Sequence, residues 1–304
     1  MSGRNDLERD GKLMRRMLER YRVTSGESFE LDRFATDDLP DDIPPKRDAK
    51  ALLELAAERM AALQELLYAN ATWSLLIVLQ GVDAAGKDST IKHVMSGLNP
   101  QGVTVTSFKG PGPHELAHGF LWRVGRVVPA RGMVGVFNRS HYEDVLVTRV
   151  HPDMLARARL PQTLIGAPRF WEHRIADIAA FERYLARQGT RIVKVFLNLG
   201  RDEQKRRFLA RLDEPDKMWK FDAADLAERT HWRDYRTAYQ AAIAGTATEV
   251  APWFVVPADR KWFARLLVAE AVLQALEDLD LEPPATSDAA RAELAAARQR
   301  LERD

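Results

Sequence analysis

The chain has 304 residues, with 46% hydrophobic and 29% charged residues, which allows one large α/β domain or two small ones and excludes a wholly disordered chain. Its 45 Lys plus Arg against 44 Asp plus Glu leave a net charge of +1, so no whole-molecule field marks a nucleic-acid partner, and a polyanion site has to be a local patch. Cysteine is absent, which removes disulfides, thiolate nucleophiles, iron–sulfur clusters and cysteine-bound zinc, leaving oxygen to hold any metal.

The segment from Met1 to Asp10 is charged where a secretory signal is apolar, and no uncharged run approaches a membrane span. A cytoplasmic protein with no membrane partner is expected. Residues 1–48 are charge-dense and broken by Asp37-Asp38-Leu39-Pro40-Asp41-Asp42 and Pro44-Pro45, so they read as an N-terminal arm with a short helix around Leu13 to Arg20. From Ala49, Leu52, Leu55, Ala56, Met60, Leu63 and Leu67 recur at helical spacing, the pattern of a helix covering a sheet.

The run Ser74 to Gln80 is continuously apolar and ends at a glycine, which suits a central parallel strand buried on both faces. Similar runs follow at Val103 to Phe108, Met133 to Phe137, Arg191 to Leu197 and Trp253 to Val256, separated by helix-period sequence such as Phe170, Ile175, Ile178 and Leu185. A further helix pattern runs from His114 to Val128. The alternation predicts a three-layer, doubly wound parallel sheet of about five strands over residues 49–280, with ligands at the carboxyl ends of the strands. Residues 211–230 interrupt the rhythm with a polar, cationic insertion that reads as a mobile lid, and 281–304 read as a C-terminal helical tail. The tail and the 52–67 helix offer surfaces for a homo-oligomer, a dimer or tetramer, although surface packing explains them equally well.

Gly81-Val82-Asp83-Ala84-Ala85-Gly86-Lys87-Asp88-Ser89 fits Gly-x4-Gly-Lys between a strand and a helix. In such a loop the glycines let backbone N–H groups converge on phosphate, the lysine adds a point charge, and the helix N-terminus adds its dipole. Asp88 departs from the Ser or Thr usual after that lysine, and Asp83 puts a negative charge in a phosphate cradle. Mg²⁺ held partly by Asp83 resolves the repulsion, with Mn²⁺ as a substitute; a helix-terminal carboxylate without metal is the other reading. The third run ends in Phe137-Asn138-Arg139-Ser140-His141-Tyr142-Glu143-Asp144, a polar cluster on the same rim. There Arg139 can clamp phosphate bidentately and Glu143 can reach metal, whereas a capped helix start needs no ligand at all. Lys109 is a candidate phosphate contact after the second strand; Arg123 fits a phosphate contact and a solvated helix face equally. Arg207 and Arg211, one helical turn apart, join Lys217 and Lys220 beside the lid as candidate phosphate contacts. A covalent role for His141 is not expected.

Five blocks together resemble the type-2 polyphosphate kinase family, which shares the P-loop kinase fold with thymidylate kinase: Leu76 to Asp88, Phe120 to Arg123, Phe137 to Val147, Asp216 to Phe221 and Ala251 to Asp259. The resemblance implies reversible, Mg²⁺-dependent transfer of a terminal phosphoryl group from inorganic polyphosphate to AMP and ADP without a covalent intermediate. It implies Asp83, Lys87 and Arg139 as catalytic residues and a lid that closes over the polyphosphate chain. Phosphate and nucleotide binding then involve Gly81, Ala84, Ala85, Gly86, Lys87, Asp88, Ser89, Lys109, Arg123, Asn138, Arg139 and Glu143. Metal falls to Asp83 and Glu143, and donor binding to Arg207, Arg211, Lys217 and Lys220. Family members often carry Asp at the place of Asn138, and Glu143 is similar to the acidic residue of the subgroup that accepts both mono- and diphosphates. Two other functions share the fold: an ATP-dependent nucleoside monophosphate kinase, and a non-catalytic nucleotide- or polyphosphate-binding regulator.

Overall fold

The computed structural model describes residues 2–215, 218 and 222–303. In chain order the elements are α1 (Ser2–Leu18), β1 (Arg22–Val23), α2 (Ala49–Asn70), β2 (Ser74–Gln80), α3 (Lys87–Val94), β3 (Val103–Ser107), α4 (Pro113–Leu116), α5 (Trp122–Gly125), β4 (Val134–Asn138) and α6 (Glu143–Val150). They continue with α7 (Gln162–Ile165), α8 (Phe170–Arg187), β5 (Thr190–Asn198), α9 (Arg201–Asp213), α10 (Ala223–Thr230), α11 (Trp232–Thr246), β6 (Trp253–Pro257), α12 (Lys261–Glu277) and α13 (Asp288–Leu301).

The strands make one sheet in the order β1-β6-β5-β2-β4-β3, parallel except where β1 lies antiparallel to β6. All five expected strands are present, and the sixth is the two-residue β1, too short for any periodicity to announce it. Alternate residues divide the interior in two. Leu75, Ile77, Leu79, Val193, Val195 and Val136 face the core under α2, α3 and α12, while Leu76, Val78, Ile192, Phe196 and Val255 face the core under α6, α8 and α11. Burial on both faces is why these strands read as unbroken apolar runs. The chain leaves β2 toward β3 and leaves the neighbouring β5 toward β6, so a crevice opens at their carboxyl ends.

Residues 1–48, read from the sequence as an N-terminal arm, pack against the domain. Met14, Leu18, Tyr21, Phe29 and Leu31 are buried in the two cores, at roughly 1.5–3 kcal/mol for each large side chain. Arg15 on α1 pairs with Glu270 and Glu277 on α12, and Asn198 at the rim donates to the Phe34 carbonyl at 2.7 Å. The helix expected from His114 to Val128 is two single turns, α4 and α5. Gly119 and Gly125 weaken a helix interior by about 1 kcal/mol each relative to alanine, and Phe120 turns inward beneath the Arg174 guanidinium, 4.9 Å from its ring centroid. The tail forms α13, capped by Ser287 and with no buried residue. Of the lid, α10 is described, whereas Lys217 and Lys220 lie outside the described residues. Among the described residues no helix is long and apolar enough to cross a membrane.

Candidate active site

The loop after β2 is shaped by two glycines. A Cβ on Gly81 would lie 2.9 Å from the Ala85 Cβ, and Gly86 starts α3 at φ +105°, a conformation that side chains resist. Ala84 and Arg139 are also left-handed, at φ 63° and 62°, strain of about 1–3 kcal/mol apiece that their surroundings must hold in place. Lys87 folds over the loop, donating from Nζ to the Gly81 carbonyl at 2.6 Å and the Val82 carbonyl at 3.3 Å. Burial lowers its pKa, and the nearby Arg139 adds to this.

The rim after β4 meets this loop. Arg139 Nη2 donates to Asp83 Oδ1 at 2.9 Å, and its Nη1 lies 3.5 Å from Glu143 Oε2. Burial opposes the Arg139 charge, yet Glu143 and Asp83 outweigh it and hold the guanidinium pKa above the ordinary value. Burial raises the Glu143 pKa against the pull of Arg139 and Lys87. With its amide turned to satisfy both neighbours, Gln80 donates to Glu143 Oε1 at 3.1 Å and accepts from the Ser140 N–H at 3.1 Å.

The two departures in the motif meet each other. Asn138 Nδ2 donates to Asp88 Oδ1 at 2.6 Å, so the unusual carboxylate turns to the unusual amide. Ser89 Oγ accepts from Arg265 at 3.3 Å. Lys109 is exposed and lines the space between the two rims.

Two expected phosphate contacts, which line the cleft and the cavity beside it, are also held by protein groups. Arg207 is 5% exposed and gives its donors to the Ala84 and Ala85 carbonyls at 2.9 and 3.0 Å, the Ala258 carbonyl at 2.5 Å and Glu203 at 2.8 Å. A buried guanidinium must satisfy its N–H groups, and this one does so by bracing the loop from beneath. Arg123 similarly donates to the Lys109 carbonyl at 2.8 Å and pairs with Asp144 at 3.4 Å. Arg211 stays on the cleft, with Asp225 of α10 at 3.3 Å.

Three spaces converge on Arg139. A cleft of about 870 Å³ runs past the loop between Lys109, Arg206, Arg211, Lys261 and Arg265. A cavity of about 230 Å³ lies over Phe108, Leu116, Val147, Met154 and Leu155 with Arg174 at its side. A smaller recess of about 40 Å³ is walled by Trp232, Tyr235 and Tyr239 and reaches Asp83 and Glu143. Among the described residues no three His, Asp or Glu side chains converge to cage a metal. Asp83 and Glu143 are the two carboxylates flanking Arg139, oxygen donors of the kind that suit Mg²⁺ completed by water and phosphate.

The polyphosphate kinase 2 family model matches residues 44–284. The chain therefore belongs to the polyphosphate kinase 2 family. It is 46% identical to the ADP-polyphosphate phosphotransferase of Rhodopseudomonas palustris, covering 95% of this chain and 99% of that one. It is 45% identical to the AMP/ADP-polyphosphate phosphotransferase of Meiothermus ruber over 88% and 96%. The crystal structure of polyphosphate kinase 2 from Arthrobacter aurescens TC1 superposes with a TM-score of 0.82 at 44% identity, covering 91% of this chain and 95% of that one.

In this polyphosphate kinase 2 chain, sequence reasoning passed over Lys261 and Arg265, which line the cleft from the start of α12. Their spacing of four residues directly after β6 was the available signal, since that is another carboxyl-end rim. Gln204 was also missed. It links α10 to the loop, donating to the Asp83 carbonyl at 2.9 Å and accepting from Arg229 at 2.8 Å.

Proposed function

We propose that this chain transfers the terminal phosphoryl group of inorganic polyphosphate to AMP and ADP. The observation carrying this reading is the convergence at Arg139 of a cationic cleft far larger than one nucleotide's phosphates need and a separate, mostly apolar cavity of nucleoside size. The polyanion enters along Arg206, Arg211, Lys261 and Arg265; the acceptor nucleoside occupies the cavity above Phe108 and presents its phosphate to Arg139. An acceptor phosphate oxygen bonds to the terminal phosphorus as the bridging P–O bond breaks. The polymer leaves one unit shorter, taking the bridging oxygen on its new terminal phosphate, and AMP becomes ADP or ADP becomes ATP.

Both reactants are anions, so positioning and charge stabilisation carry the catalysis. Lys87 and Arg139 meet the charge on the transferring group. Phosphate arriving at the junction competes with Asp83 and Glu143 for the Arg139 guanidinium. Asp83 and Glu143 would hold Mg²⁺, or Mn²⁺ in its place, which when bound neutralises phosphate oxygens and polarises the phosphoryl group. No general base is required, because the acceptor is already ionised. A cytoplasmic location, where nucleotides are abundant, and assembly into a dimer or tetramer belong to the same reading; exposed Leu294 and Leu301 on α13 support the latter.

Purified protein mixed with polyphosphate, Mg²⁺ and AMP is expected to yield ADP and then ATP. Turnover driven by ATP that ignores polyphosphate would replace this reading with a nucleoside monophosphate kinase, and no turnover with any donor would leave a binding protein.

A further inference from the structure

Behind the catalytic rim, away from every cavity described above, lies a fully buried charge pair that phosphoryl transfer does not itself use. Lys194 on β5 is 0% exposed and Glu182 on α8 is 2% exposed, with Nζ to Oε2 at 2.6 Å. The three ammonium donors of Lys194 go to three different elements: Glu182 on α8, the Thr246 carbonyl at the end of α11 at 2.7 Å, and the Tyr142 hydroxyl at 3.2 Å. Tyr142 donates to Glu182 Oε1 at 2.8 Å, and His141 directs Nε2 to the same oxygen at 3.3 Å. Trp253 of β6 closes the network by donating from Nε1 to Thr246 Oγ1 at 2.9 Å. Lys194 and His141 together hold the Glu182 carboxyl below the usual range despite the cost of burial.

His141 and Tyr142 are the middle of the segment whose ends are Arg139 and Glu143. Both are wholly buried, and their neighbour Arg139 is held in a strained left-handed conformation. A buried ion pair is a weak source of stability, because desolvation offsets most of the attraction and an apolar pair of similar volume does as well. Its hydrogen bonds are directional, however, and fix where the connected backbone lies. Here that backbone carries the guanidinium and the carboxylate at the junction of the two substrate spaces.

We propose that Lys194 and Glu182 are positioning residues for phosphoryl transfer, acting through His141 and Tyr142 to set the placement of Arg139 and Glu143. This rests on the function proposed above. Two variants test it: the apolar double substitution Lys194→Met with Glu182→Leu, and Tyr142→Phe, which removes one of the two links from the network to the rim and leaves that of His141. Each is compared with the wild type for melting temperature, for kcat and KM on whichever donor the wild type turns over, and for the backbone of 139–143 in a crystal structure.

The double variant is expected to fold but to melt below the wild type, because the Thr246 carbonyl and His141 lose their buried partners, with kcat down about 10–100-fold and the donor KM changed by less than about threefold. Tyr142→Phe is expected to show the same split more weakly. A folded double variant with wild-type kcat, or one whose residues 139–143 superpose on the wild type within coordinate error, overturns the proposal. An error in the donor assignment shows instead in the wild type's own donor preference and leaves the variant-to-wild-type ratio and the structural comparison in force. If the double variant does not fold, Tyr142→Phe decides: unchanged kcat refutes the positioning role, and reduced kcat at unchanged KM supports it.

Discussion

Arg139 donates to Asp83 across 2.9 Å while its other terminal nitrogen lies 3.5 Å from Glu143, so one guanidinium spans carboxylates from the segments that follow two adjacent strands, β2 and β4. With Lys87 folded onto the loop carbonyls beside them, the cluster without substrate is close to internally balanced. Removing any one charge unbalances it and also removes a group that the transition state needs.

Asp83→Asn, Lys87→Ala and Arg139→Ala should therefore each lower kcat by roughly 10³–10⁵ while leaving the melting temperature within a few degrees. All three side chains are at least partly open to solvent, so no cavity forms in the core. Steady-state kinetics alongside thermal denaturation check this, and a wild-type rate in any of the three contradicts the role given to that residue.

Glu143 offers a sharper test, since its Oε2 faces Arg139 while its Oε1 receives Gln80. Glu143→Asn removes the charge and draws the polar end back by one methylene, and it should reduce turnover of AMP more than that of ADP. Parallel assays with the two acceptors measure the ratio. Equal losses would detach Glu143 from acceptor choice and leave it with metal alone.

The two arginines assigned alike from the sequence should separate. Arg207 braces the Ala84 and Ala85 carbonyls, so Arg207→Met should cost about 2–4 kcal/mol of stability, because acceptors are left buried without donors, and should depress kcat as the loop loosens. Arg211 borders the cleft, and Arg211→Ala should raise the KM for polyphosphate severalfold with little change in kcat or stability. Urea unfolding and donor titration distinguish the two, and identical profiles would refute the division.

How much of this was legible in the sequence depended on how local each signal was. The Gly81 to Ser89 loop could be read because the strand, the glycines, the lysine and the helix are contiguous, and the rim at 138–143 because it follows a strand whose neighbours are also strands. Arg207 could not be separated from Arg211: both have helical spacing and a positive charge, and only the fold puts one beneath the loop carbonyls. Lys194 interrupts an otherwise apolar run, and its partners come from α8, α11 and the β4–α6 connection, up to 52 residues away. The mutual satisfaction of Asn138 and Asp88, 50 residues apart, was equally out of reach. The arm's packing was not legible, because its charge-dense sequence hides the spaced Met14, Leu18 and Tyr21 that are buried against the domain.

That docking carries a pH dependence of calculable sign. Glu270 on α12 is 6% exposed and accepts from Arg15 of α1 at 3.2 Å, yet burial raises its pKa above the ordinary value more than Arg15 and Arg59 lower it. The folded state thus binds the Glu270 proton more tightly than the unfolded chain does. Its contribution is most favourable below the unfolded pKa of about 4.3 and is lost as pH rises through the higher folded value, so at neutral pH the ionised carboxylate is a cost. Glu270→Gln retains an oxygen for Arg15 without that charge. The variant should melt roughly 2–4 °C above the wild type at pH 7.5, and the gain should shrink toward zero below pH 4. Calorimetric melts across that range measure it. A gain that is constant with pH, or one that grows on acidification, would mean that Arg15 outweighs burial and that the ion pair itself holds α1 in place.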